Sequence, residues 1–313
     1  MIYQKIAKPT ENFDLWYLIF KFTIMAQIRE IKKRIRSVES TKKVTHAMEL
    51  VSAAKMRKAQ ASAISARPYT QTLHEILAQV GKQNKDEFAH PLASANDNQT
   101  QLIIIISSDR GLAGGLNLNM FREILRTDIK GAKYITVGKK ARDFAAKTGS
   151  DLIASYTTEE LPHFEIARIL SKTAQEMFTK KEVGKVSLIY PYFESTIKQP
   201  PKWVQVLPIA SIEEISEETR AASDFLFEPN PSQIVDLILK HHILTQIYQA
   251  LVEAKAAEHS ARMVAMKNAT DAAGDLVDDL TLTYNQARQE AITKELLDIV
   301  TAQKAFEWAQ KLT

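Results

Sequence analysis

Residues 107–117 read SSDRGLAGGLN, with Gly111, Gly114 and Gly115 lying between an apolar β-branched run, Leu102 to Ile106, and a segment of helical spacing. Backbone N–H groups at a helix N-terminus bind anions, so a strand, a glycine loop and a helix in this order are the usual setting of a phosphate cradle. The spacing fits neither G-x-x-x-x-G-K-[ST] nor G-x-G-x-x-G. After the next apolar run, Tyr134 to Val137, stand Gly138, Lys139 and Lys140, where a dinucleotide fold places a ribose-binding acid. The stretch therefore predicts a tight, closely packed strand-to-helix turn, with a nucleotide site as the alternative.

Other chemistry is sparse. The seven histidines are dispersed, and the adjacent His241 and His242 face different sides of a helix with no histidine four residues on, so no zinc helix is expected. Asp278 and Asp279 are also adjacent and read as a solvated face. G-x-S-x-G is absent. With no cysteine there is no thiolate ligand, disulfide or thiol nucleophile. These residues imply no cofactor, no metal and no catalytic constellation.

The elements that position the loop come next. Continuous apolar character from Leu102 to Ile106 marks a strand buried on both faces. Further strands are expected at Tyr134–Val137, Leu152–Tyr156, Lys185–Tyr192 and Lys202–Leu207, the last two paired around a proline-rich turn. Helices are expected from the loop to about Ile129, over Lys139–Lys147 and over His163–Lys180. Alternating strands and helices predict an α/β domain over 68–230 with a largely parallel sheet.

The ends follow another pattern. From Met25 to Arg67 there is neither glycine nor proline, and Ile28, Ile31, Ile35 and Val38 keep the 3-4-3 spacing of a coiled-coil seam. The stripe then slips phase and resumes at Val44, Met48 and Val51. Pro68 marks a stop or kink. From Ser232 to Thr313 there is no proline and one glycine, Gly274. Apolar positions recur at Ile234, Leu237, Leu244, Ile247 and Leu251. They recur again at Leu276, Leu280, Tyr284, Ala287, Ala291, Leu296 and Ile299. Small residues dominate Ala254–Ala273 and permit close helix approach. A helix that long is a rod needing partners, and an antiparallel coiled coil of 25–67 with 231–313 is the expected arrangement.

Charge separates along the same lines. The whole chain of 313 residues carries a net +4, but residues 25–67 hold eleven Lys/Arg against three Asp/Glu. The basic side chains surround the helix and no aromatic residue interrupts them, so no nucleic acid partner is implied. Acidic protein surfaces suit such a rod. Residues 1–24 lack an apolar run long enough to span a bilayer and a small-residue cleavage site. They read as an upstream-start extension or disordered tail, with translation expected from Met25; a membrane-surface anchor through Trp16, Tyr17 and Phe20 is the alternative.

Four segments carry a family resemblance: KVTHAMELVSAAKMRKAQ in the first helix, IISSDRGLAGGLNLN in the middle, FEPNP before the last helix, and SARMVAMKNATDAAGDLVDDLTLTYNQARQEAITKELLDIV within it. Together they resemble the gamma subunits of F-type ATP synthases, many of which carry cysteine where Ala113 stands. The resemblance implies an α+β chain with a long antiparallel coiled coil and a Rossmann-like middle domain that binds no nucleotide. It implies a non-catalytic rotor that carries torque between a proton-driven membrane ring and the catalytic alpha/beta hexamer. Its partners would be the alpha and beta subunits, epsilon and the c-ring, at the cytoplasmic face of a bacterial inner membrane. It assigns hexamer contacts to Arg288, Gln289, Met48, Lys42, Lys43, Lys55, Arg57 and Lys58, and contacts with epsilon and the ring to Phe225 and Glu228. The missing cysteines imply that the dithiol insert of chloroplast members is absent. On the residues alone, a nucleotide-binding α/β enzyme with helical arms and a coiled-coil scaffold remain the rival readings.

Overall fold

The computed structural model describes residues 9–83, 90–127, 129, 131–158, 163–209 and 231–311. Two helices flank the α/β segment in the chain: α1, Pro9–Gln83, and α5, Pro231–Lys311. Between them run β1 (Gln101–Ile106), α2 (Leu116–Thr127), β2 (Lys133–Val137), α3 (Lys139–Thr148), β3 (Asp151–Tyr156), α4 (His163–Thr179), β4 (Lys185–Pro191) and β5 (Pro201–Leu207). The chain forms two compact units, one of residues 1–47 with 267–313 and one of residues 48–266.

In the larger unit the sheet order is β3-β2-β1-β4-β5. β1 pairs in parallel with both β2 and β4, β2 in parallel with β3, and β5 returns antiparallel to β4. This is the expected largely parallel sheet with its final strand pair. The order reverses beside β1, so the ends of β1 and β4 form the switch point at which open α/β sheets place ligands. The two faces of β1 supply separate cores. Leu102, Ile104 and Ile106 pack with Leu77 of α1, Ile166 and Leu170 of α4, and Leu239, Ile243 and Ile247 of α5. Ile103 and Ile105 pack with Met120 and Ile124 of α2 and Ala141 of α3. A strand buried on both sides has no reason to alternate with polar residues, which is why it reads as a continuous apolar run.

Helix α1 runs through Pro68 rather than stopping there. Proline removes the donor that the carbonyl of Ile64 would use, but both residues lie exposed, where water can take that carbonyl. The helix also begins at Pro9, inside the stretch read as an extension. The expected phase slip is absent. Val44 and Val51 are exposed, at 56% and 55%, while Thr45, Met48 and Glu49 are half-buried and Ser52 and Met56 are buried. Continued through Ala59 and Ala63, these positions keep the 3-4 spacing of Ile28–Val38 without interruption. Polar side chains hold seam positions, so apolar residues alone misplace the stripe. On α5 the expected stripe is met in part: Ile247 and Leu251 are buried and Ile234, Leu244, Leu280, Tyr284, Ala287 and Ala291 half-buried, whereas Leu237, Leu276, Leu296 and Ile299 are exposed.

Because Ile104 is fully buried in the larger cluster, Ile104→Ala is expected to cost about 2–5 kcal/mol in a denaturant titration. Ile153→Ala on the edge strand, where the side chain is 42% exposed, is expected to stay within about 0.5 kcal/mol of the parent.

Candidate functional site

The loop after β1 satisfies its own anion-binding groups. Helix α3 starts at the C-terminal end of β2, and its first N–H groups would welcome a phosphate. Instead, the N–H of Lys139 donates to Oδ1 of Asp109 at 3.0 Å, that of Lys140 to the carbonyl of Ser108 at 3.2 Å, and that of Ala141 to Oγ of Ser107 at 2.8 Å. Oδ2 of Asp109 also accepts the N–H and the hydroxyl of Thr158. Asp109 thus caps the N-terminus of α3 from within the chain. Gly138 permits this closeness. Its φ is +97°, and a Cβ there would lie 2.3 Å from the carbonyl oxygen of Ser107. At the start of α2, Asn117 accepts the N–H of Ser108 and donates to its hydroxyl. Leu112 is an exposed non-glycine residue at φ 60°.

Helix α5 lies against the same loop. Arg262, 8% exposed, donates to the carbonyls of Arg110 and Gly111 and pairs with Glu258 at 2.9 Å. Glu258 takes Lys255 at 3.0 Å on its other oxygen. Close approach rests on small residues: Ala256 and Ala257 of α5 pack with Ala113, Leu116 and Phe193. Ser260 donates to the carbonyl of Thr196 in the β4–β5 turn. Burial, with Lys255 next in effect, lowers the pKa of His163. Burial also drives the pKa of His259 down to about 4, against the opposing influence of Glu258 and with Lys255, Arg262 and Lys55 adding to the shift. Asp109 and Arg262 thus use backbone groups of the crevice internally, while Nε2 of His163 and Oγ1 of Thr157 are buried without a hydrogen-bond partner.

In the smaller unit α1 and α5 form an antiparallel seam. Thr270 donates to Thr45 at 2.8 Å, and a Cβ on Gly274 would meet Nζ of Lys42 at 2.9 Å. As α1 is followed backward from 45 to 42, α5 advances from 270 to 274.

The ATP synthase family model matches residues 27–306. The ATP synthase gamma chain of Opitutus terrae is 40% identical over 294 residues, covering 90% of this chain and 99% of that protein. That of Halothermothrix orenii is 38% identical over 287 residues, covering 90% and 100%. This chain belongs to the ATP synthase gamma chain family. Among solved structures, a chain of the Euglena gracilis mitochondrial ATP synthase shares the fold, with a TM-score of 0.65 at 19% identity over 91% of this chain and 96% of that one. A central-stalk chain of the Tetrahymena thermophila enzyme gives 0.54 at 24% identity over 72% and 99%.

The gamma-family contact residues are placed as follows. Arg288, Gln289, Lys42, Lys43, Lys55, Arg57 and Lys58 are exposed, and Met48 is half-buried. Arg288, Gln289, Lys42 and Lys43 belong to the smaller unit; Met48, Lys55, Arg57 and Lys58 belong to the larger. Lys42 lies over Gly274 rather than standing clear of the partner helix. Phe225 and Glu228 fall outside the described residues. Asp278 and Asp279 are exposed, as a solvated face requires. Sequence reading missed Asp109, Thr158, Glu258 and Arg262 as the groups that close the crevice. The signal for Asp109 was present: an acid within the glycine loop itself competes with any phosphate for the same N–H groups.

Asp109→Ala removes one acceptor from three donors, so a loss of about 2–4 kcal/mol is expected in denaturant unfolding. His259 resists protonation in the folded state, so the unfolded chain binds more protons below its ordinary pKa. Stability is therefore expected to be complete above about pH 6.5 and to fall as pH drops toward 4. A shallower fall in His259→Gln, followed by melting between those limits, checks the assignment.

Proposed function

We propose that this chain is the rotor shaft of an F-type ATP synthase and has no active site of its own. It carries torque between a proton-driven membrane ring and an alpha/beta hexamer in which ATP is made. The observation that supports a mechanical role is the internal tie at the end of β1: Asp109 caps the N-terminus of α3, and Arg262 holds the loop carbonyls from α5. Family membership supplies the setting, and the similar Euglena and Tetrahymena chains come from F1/c-ring and central-stalk assemblies.

The mechanism is differential contact. A shaft can shift a catalytic subunit between conformations only where its contact free energy differs between them. Arg288 and Gln289, exposed on α5, are the proposed contacts with a catalytic subunit loop, where a guanidinium offers a planar fork of donors to an acidic group. Lys42, Lys43, Lys55, Arg57 and Lys58, with Met48, are proposed to face acidic hexamer surfaces. Phe225 and Glu228 are proposed to meet epsilon and the ring. Among the described residues no helix is long and apolar enough to cross a membrane. Attachment to the cytoplasmic face of a bacterial inner membrane would then run through partners.

Reconstitution tests the reading. The purified chain is expected to restore coupled ATP synthesis to a hexamer and membrane sector lacking gamma, and by itself to give no calorimetric signal with ATP. Failure of the first, or binding in the second, would point to the enzyme reading. Arg288→Ala is expected to lower proton pumping per ATP hydrolysed several-fold while leaving unfolding free energy within about 0.5 kcal/mol. Unchanged coupling removes Arg288 from the contact set.

A further inference from the structure

A groove of about 320 Å³ lies between α4 and α5 in the larger unit, away from the loop that Arg262 holds. Two stripes line it. On α4, Arg168, Ser171, Lys172 and Gln175 keep the spacing of one helix face, and on α5 Leu237, Lys240, His241 and Leu244 keep the same spacing. Both helices are held from beneath by the sheet, through Ile166 and Leu170 of α4 and Leu239, Ile243 and Ile247 of α5. Among the described residues no hydrogen bond or ion pair crosses from one stripe to the other. Ser171 pairs with Gln175, Arg168 with Glu165, Lys172 with Glu176, Lys240 with Asp236 and His241 with Tyr69.

The charge on this lining has one sign. Arg168, Lys172 and Lys240 border the groove and no carboxylate does. Their acidic partners stand one turn away on the same helix, and Asp236 is further held by His90 at 3.2 Å on its other oxygen. Exposed pairs of this kind contribute little and leave donors over. Arg168 reaches Glu165 through one terminal nitrogen, so most of its fork stays open. Lys172 lies 3.8 Å from Glu176, beyond hydrogen-bond reach. Ser171, only 4% exposed, accepts from Gln175 at 2.8 Å, which leaves its own O–H to donate. Leu237, 67% exposed, and half-buried Leu244 add apolar surface on the α5 side. The one ring on the lining is His241, already engaged by Tyr69, so the walls suit an aliphatic body better than a stacked base.

We propose that the α4–α5 groove binds a small soluble phosphate ester with an aliphatic body. The phosphate sits on Arg168, Lys172, Lys240 and the Ser171 hydroxyl, and the body lies along Leu237 and Leu244. A guanidinium fork beside ammonium groups is the donor set that phosphate oxygens take. Apolar surface next to those donors adds affinity for an ester over the bare ion. A volume of about 320 Å³ is at the small end for ligand sites, which fits one short ester and not the chains of a lipid. The site is separate from every contact assigned to the rotor above, and the proposal does not rest on that reading.

The test titrates the purified full-length chain calorimetrically with hexyl phosphate and with inorganic phosphate. Hexyl phosphate is expected to bind at one site, at least about tenfold more tightly than inorganic phosphate. Arg168→Gln with Lys172→Gln, both exposed side chains, is expected to weaken it at least about tenfold. Lys147→Gln with Lys185→Gln removes the same charge elsewhere and is expected to stay within about twofold. Leu237→Ser is expected to bring hexyl phosphate down to the level of inorganic phosphate, and each variant should melt cooperatively. No saturable binding, equal loss in the two double variants, or an advantage of hexyl phosphate that survives Leu237→Ser overturns the proposal. So does binding to phosphatidylglycerol vesicles, absent with phosphatidylcholine and abolished by the Arg168 and Lys172 changes, when hexyl phosphate itself does not bind; the groove would then take a lipid headgroup. None of these outcomes touches coupling, so the rotor reading is decided by its own reconstitution.

Discussion

The interaction on which the larger unit depends is the buried pair Glu258–Arg262. Taking a carboxylate and a guanidinium out of water costs several kcal/mol each unless every strong hydrogen-bonding group finds a partner. Arg262 meets that condition by reaching Glu258 and two loop carbonyls, and Glu258 by adding Lys255. The loop gains donors for carbonyls that its irregular backbone leaves free. Helix α5 is thereby tied to the loop at the end of β1. The alanines at 256 and 257 are a consequence, since the guanidinium can reach the loop backbone only if the helix comes close.

That tie decides what the sheet can do. A parallel sheet with its order reversed beside β1 offers the geometry of a ligand crevice. Here Asp109 and Arg262 supply charges of both signs from within the chain. The domain keeps a doubly wound sheet while Asp109 and Arg262 hold its loops to the neighbouring helices. A ligand would have to displace a carboxylate that holds three donors at once.

The parts of this organisation legible in the sequence were those set by burial. β1 could be read because both of its faces are dry, and the strand-to-helix turn because glycine and helical periodicity switch abruptly. The coiled coil was legible in kind and misread in register, because Thr45, Glu49 and Ser52 hold seam positions that hydropathy assigns to water. Of the stop or kink read at Pro68, the stop does not occur, because its cost depends on whether water can take the orphaned carbonyl, and exposure is a tertiary fact. The Arg262 tie was not legible: the carbonyls it satisfies belong to the backbone, which no side-chain pattern reports.

The polar seam of the smaller unit has its own logic. An all-aliphatic seam gives large stability but little penalty for sliding by a heptad, since each knob meets an equivalent hole. A hydroxyl pair is directional. Thr270 donates to Thr45, which donates on to the carbonyl of Lys42, and a slip would leave these groups unmatched between helices. Gly274 lets the Lys42 side chain lie close above it. A helix pair whose work is to present different side chains at different angles cannot tolerate changes of register, since each slip would alter the contact free energies that distinguish one orientation from the next. Giving up apolar burial at Lys42 and Thr45 exchanges some stability for a single register, and a shaft needs register more than it needs strength.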